Sequence, residues 1–201
     1  MLLLILGLVL FIGVHALSTM TERRAALIGR LGEGGYKGVY SLLAAVGLIL
    51  IVYGYARAPY TVVWDPPVWA RHATFLLMLP VFPLLVEAYL PGRLKTVIPH
   101  PMLMAVKLWA VAHLLTKGTA AAMLLYASLL VWAIFDLISA KKRERAGLLT
   151  VRTGPLRNDV IAILIGVAIY LFMINIGHWK LIGTPILPAN VPTWVPSWLG
   201  G

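Results

Sequence analysis

Six runs of about twenty residues, almost without charge, divide this chain, and a run of that length and composition reads as a helix crossing a bilayer. Met1 to Thr21 carries no charge before Glu22, Gly38 to Ala56 lies between Lys37 and Arg57, and His72 to Leu90 is interrupted only by Glu87. His100 to Thr116 contains Lys107, Gly118 to Phe135 stops at Asp136, and Val160 to Trp179 stops at Lys180. The connections are too short to hold a separate soluble domain, so residues 1–180 are expected to form one all-α membrane domain of six transmembrane helices. Composition agrees: 61% of residues are hydrophobic and 12% charged, against about a quarter charged in soluble domains.

No Lys or Arg precedes Arg23, so the first run lacks the basic n-region of a secretory signal and is expected to be a retained helix. Residues 181–201 are also uncharged, but Pro185, Pro188, Pro192 and Pro196 would break a helix drawn through them. They are expected to form a non-spanning interfacial tail, with Trp194 and Trp198 at the headgroup level.

The net charge of +10 would point to nucleic acid in a soluble domain. Here most of the charge lies between apolar runs, where it orients the chain. The loops after the first, third and fifth runs hold twelve Lys and Arg, against four on the opposite side. Both termini are therefore expected outside, with the lipid bilayer as the chain's first partner and no nucleic acid. Cysteine is absent, which excludes disulfides, thiolate nucleophiles, iron–sulfur clusters and cysteine-ligated zinc. No internal repeat is visible, which argues against an inverted-repeat transporter.

Polar groups at bilayer depth are costly and mark functional positions, here His15, Glu87, Lys107, His113 and Asp136. Glu87 and Asp136 lie near inner helix ends, where contact with headgroups or the basic inner loops is the simplest role. Lys107, about 10 Å from its helix's inner end, can snorkel to that interface or meet a ligand. His100-Pro101 reads as a helix start. With Arg93 and Lys95 nearby it also makes a site suited to an anionic carboxylate.

His15 and His113 fall inside the apolar slab. His15 is about 21 Å from the outer end of its helix and His113 about 20 Å from the inner end of its own, an offset of about 11 Å in a core of about 30 Å. A single zinc on both would draw them closer than that, whereas axial ligands of one haem have backbones about 12–13 Å apart. Depth permits a haem sandwich, and interhelical hydrogen bonding is the alternative. Trp109 shares the His113 face, and Leu8, Phe11, Ile12 and Ser18 share that of His15.

The run from His100 to Leu115 (HPMLMAVKLWAVAHLL), the preceding Arg93-Leu94-Lys95 and the first-helix His15-Ala16-Leu17-Ser18 resemble the NnrU family of bacterial integral membrane proteins. Arg71-His72, Trp132 and Asp136 fit as well. That resemblance implies a multi-pass protein of the bacterial inner membrane, linked to nitrogen-oxide metabolism and denitrification. The family is also similar to 15-cis-zeta-carotene isomerase, a membrane enzyme using haem b, whose ligands fall here on His15 and His113. That likeness implies haem b as cofactor and His15 and His113 as the metal ligands. Arg93, Lys95, His100, Lys107 and Trp109 are then the further cofactor-binding residues, the basic ones expected at the propionates. The isomerase cysteine in the turn before the second ligand falls on Ala110, so a cysteine-dependent ligand exchange is unavailable to this chain. Three functions follow: a bis-histidine haem protein with a redox partner, a haem-dependent isomerase of a polyene lipid, and a haem-free accessory or transport protein.

Overall fold

The computed structural model describes residues 1–184 and 186, and these form an all-helical chain. In order come α1 (Leu2–Leu17), α2 (Thr21–Ala56), α3 (Ala70–Met78), α4 (Val81–Tyr89), a 3-10 turn at Leu94–Thr96, α5 (Pro101–Leu114), α6 (Ala120–Arg145), α7 (Leu156–Phe172), a π turn at Met173–Gly177 and α8 (His178–Ile182). The tail expected to be interfacial, with Trp194 and Trp198, lies outside the described residues except near its start.

Helical segments stand at all six apolar runs, and they are not equal. Four stretches are long and apolar enough to cross a membrane: Thr21–Ala56, Ala70–Tyr89, Ala120–Arg145 and Leu156–Ile182. α1 and α5 have 16 and 14 residues, about 24 and 21 Å at 1.5 Å per residue, short of the roughly 30 Å hydrocarbon core. The chain is a membrane protein with, among the described residues, four such stretches and two shorter apolar helices, where the charge pattern alone counted six spans. Uncharged length exceeds helical length because helix ends obey caps and turns. After Leu17 the hydroxyls of Ser18 and Thr19 bond back to the carbonyls of His15 and Ala16, and α5 gives way to a turn after Leu114.

Two compact units are present. The first comprises residues 1–77 and 106–151. In it α1 runs antiparallel to the later part of α2, and the seam is closed by glycines. A Cβ at Gly47 would lie 2.9 Å from the Phe11 nitrogen, one at Gly7 would lie 2.6 Å from that of Ile51, and one at Gly54 would strike Leu4. Small residues permit such backbone approach where lipid removes the usual hydrophobic drive. Leu4, Leu8, Ile51, Ala110, Leu125 and Tyr126 form the buried core beneath the seam. Gly32 adopts φ 71°, ψ 164° and breaks α2 into a short basic segment and the spanning segment, a left-handed conformation that glycine reaches without strain.

The second unit comprises residues 78–105 and the described residues from 152 onward. α4 packs on α7 so closely that a Cβ at Gly166 would overlap Pro83. The loop after α4 is clamped by polar groups. Gly92 N–H donates to Glu87 at 2.6 Å, Asn158 donates to the Pro91 carbonyl at 2.8 Å, and the N–H groups of Arg93 and Leu94 both donate to the Asp159 carboxylate at 3.0 Å.

Candidate functional site

His15 sits near the end of α1, half-buried, with Nδ1 2.7 Å from the Phe11 carbonyl one turn back. A carbonyl can only accept, so the proton of neutral His15 is on Nδ1 and the lone pair is on Nε2. Its ring is flanked by Phe11 at 4.1 Å, Tyr40 at 5.5 Å and Trp132, edge-on, at 5.4 Å between centroids. His113, near the end of α5, repeats the device: Nδ1 lies 2.8 Å from the Trp109 carbonyl, which fixes the same tautomer. Its ring packs on Trp109 at 5.1 Å and stacks on Tyr126 at 4.8 Å. Tyr55 packs against the core that contains Tyr126. These Nδ1 bonds stay within each histidine's own helix.

Both imidazoles belong to the first unit, and both lie against α6. Tyr126 and Trp132 are six residues apart, about 9 Å along that helix. Two buried polar atoms lack hydrogen-bond partners, the Nε1 of Trp132 beside His15 and the hydroxyl of Tyr36 beside Tyr40. Unsatisfied buried donors are rare in folded chains and invite an acceptor. Among the described residues no three His, Cys, Asp or Glu side chains gather as a metal-ion cage. A tetrapyrrole iron, whose ring already supplies four nitrogens, matches two axial imidazoles; a bare tetrahedral ion does not.

Lys107 and Trp109 are on α5 within the first unit, both half-buried. Arg93, Lys95 and His100 are in the second unit. There the Arg93 N–H is held by Asp159, and His100 begins α5 by accepting from the Met104 N–H at 3.1 Å. The helix-start role read for His100-Pro101 is thus present.

Glu87 is 1% exposed and bonds a backbone N–H instead of headgroups or basic loops. Asp136 pairs with Arg143 at 3.4 Å, the basic-loop contact expected of it. Outside the helices, burial lowers Lys117 below the usual lysine range, and within α2 Lys37 is bonded to Glu33 at 2.7 Å.

Tyr36, Tyr40, Tyr126 and Asp159 are not among the residues expected from the sequence. A usable signal existed for the histidine surroundings, because an aromatic residue precedes each histidine by four, Phe11 before His15 and Trp109 before His113. No such spacing marks Asp159, whose partners are 65 and 66 residues away.

The family whose sequence model matches this chain is described as NnrU protein, and the match covers residues 3–186. Neither a curated protein nor a solved structure matches the chain.

Proposed function

The chain belongs to the NnrU family, and from that premise we propose that it is an integral membrane haem b protein with His15 and His113 as axial ligands, serving nitrogen-oxide or other redox metabolism. One observation carries the reading: on two different helices of one unit, a histidine is locked by its own i−4 carbonyl into the tautomer whose Nε2 holds the lone pair. Metal-ligating histidines are commonly oriented this way, by a hydrogen bond from the other ring nitrogen to a carbonyl. Their ring partners on α6 are about 9 Å apart along that helix, of the same order as the depth offset of about 11 Å expected from the sequence.

The bound group would supply one-electron chemistry at its iron, with the potential set by ligand identity and burial. The chain's own residues hold and seclude it. Phe11 and Trp109 orient the imidazoles, while Leu8, Ile12, Leu129 and Leu130, packed in or against the same core, would keep water away from a group held there. Around this core we propose six crossings of a bacterial inner membrane with both termini outside, α1 and α5 meeting the bilayer by local thinning.

The deciding experiment is an absorption spectrum of the detergent-purified full chain loaded with haem. A six-coordinate low-spin Soret band with sharp reduced α and β bands is expected. Absence of any haem uptake, under conditions that load a known cytochrome b, overturns the reading.

A further inference from the structure

An open pocket of about 220 Å³ lies beyond the end of α1, lined by Ser18, Arg24, Tyr36, Lys37, Tyr40 and Ser41. The break at Gly32 separates the segment bearing Arg24 from the one bearing Tyr36, and the Arg24 guanidinium lies over the Tyr36 ring at 5.8 Å. Tyr36 is 7% exposed and its hydroxyl makes no hydrogen bond, so a buried donor lacks an acceptor at the wall of a solvent-open space.

The charge around it is positive. Arg24 and Lys37 face Glu33, which Lys37 holds at 2.7 Å with both side chains about two-thirds exposed, and Asp136, within electrostatic reach of Tyr40, is itself paired with Arg143 at 3.4 Å. Ser18 has already given its proton to the His15 carbonyl at 2.6 Å, while Tyr36, Tyr40 and Ser41 retain hydroxyl donors. Donors and cations converging on a half-open space select an oxyanion. Tyr40 joins this pocket to the imidazole of His15, its ring 6.1 Å from that of Tyr36 and 5.5 Å from that of His15.

We propose that this pocket is an anion site that takes the carboxylate or phosphate of an amphiphile bound at the basic end of α1 and α2. The same oxygen chemistry has two sources: a propionate of a tetrapyrrole held at His15, or the headgroup of an anionic phospholipid. The first rests on the haem reading; the second does not.

The test uses the full chain in detergent and two variants, Tyr36→Phe and Arg24→Gln, whose melting points serve as folding controls. One arm titrates phosphatidylglycerol against phosphatidylcholine by native mass spectrometry, and the other titrates haem against its dimethyl ester by absorbance. A hydrogen bond to a charged group supports a loss of about tenfold on removing the Tyr36 hydroxyl. Each variant is expected to weaken either phosphatidylglycerol or haem by about that factor, leaving phosphatidylcholine and the ester unchanged. Weakening confined to the lipid identifies a headgroup phosphate, and weakening confined to haem identifies the propionate. If the wild-type chain takes up no haem, the haem reading fails and the lipid arm alone decides the pocket. Unchanged affinity in both variants across every ligand that the wild-type chain binds, or no wild-type preference for the anionic probes, overturns the site.

Discussion

Removing the Asp159 carboxylate strips two backbone donors of their acceptor at once. Arg93 and Leu94 each reach it at 3.0 Å, and the side chain that receives them is 7% exposed. Hydrogen bonds to a charged group contribute about 1.5–3 kcal/mol each, so Asp159→Ala is expected to cost about 3–6 kcal/mol. Gly92→Ala attacks the same clamp from the other side, because its methyl would overlap Oδ1 and lie 2.6 Å from Cγ of Asp159. The carboxylate must then move, and the same two bonds are lost. The two substitutions therefore share one mechanism, and the double variant is expected to fall little below the worse single one, a coupling of about 3 kcal/mol. Guanidinium unfolding of the ligand-free protein in detergent, followed by tryptophan fluorescence, measures all three. A cost for Asp159→Ala under about 1 kcal/mol, or strict additivity of the pair, refutes the clamp.

His15→Ala and His113→Ala are each expected to abolish the six-coordinate spectrum, since each removes one axial nitrogen, while His100→Ala keeps both; a low-spin haem that survives His15→Ala and is lost in His100→Ala moves the ligand to the start of α5. The family resemblance implies that Lys95 and His100 meet the haem propionates; if so, Lys95→Ala combined with His100→Ala is expected to speed haem loss several-fold with the iron still low-spin, and unchanged retention leaves those residues their local roles. Single cysteines at Arg143 and Trp194 in this cysteine-free chain give the orientation: an impermeant thiol reagent applied to intact cells is expected to label position 194 alone, and labelling at 143 reverses the topology.

Membrane character and the positions of the apolar helices were legible because a bilayer imposes a length and an absence of charge that any sequence displays. Which of them are long enough to span was not, since that depends on where caps fall. Thr119 opens α6 by accepting the Ala122 N–H, and α6 then continues through its basic stretch to Arg145, ten residues beyond the end of its uncharged run. His15 and His113 were visible as polar residues at depth. Tyr126 looked like an ordinary member of an apolar run and Trp132 stood out only through the family resemblance; packing between helices is what sets each beside an imidazole. The Asp159 clamp was invisible for a different reason: a carboxylate in the first turn of a helix reads as a dipole partner, and nothing local says that it reaches back to residues 93 and 94.

Phe11-x-x-x-His15 and Trp109-x-x-x-His113 place at i−4 both a ring that flanks the imidazole and a carbonyl that takes its Nδ1 proton. A histidine that only packs is served equally by either tautomer, whereas these two are committed to an Nε2 acceptor. For His15 the protein itself offers a rival to iron, the indole N–H of Trp132, whose ring stands edge-on at 5.4 Å. Yet that N–H is buried and makes no hydrogen bond, so the rival pair has not closed. Trp132→Phe separates the two uses of the nitrogen. Under ligation it removes no axial atom, so the low-spin spectrum is expected to persist with haem affinity within about threefold, a change below about 0.7 kcal/mol at 1.4 kcal/mol per decade. If His15 instead serves as an acceptor for Trp132, the substitution strands the imidazole and costs about 1–3 kcal/mol of stability. Loss of the spectrum in Trp132→Phe as complete as in His15→Ala defeats the ligand assignment. Loss of stability with the spectrum intact shows that the indole supports the fold around a ligand it does not replace.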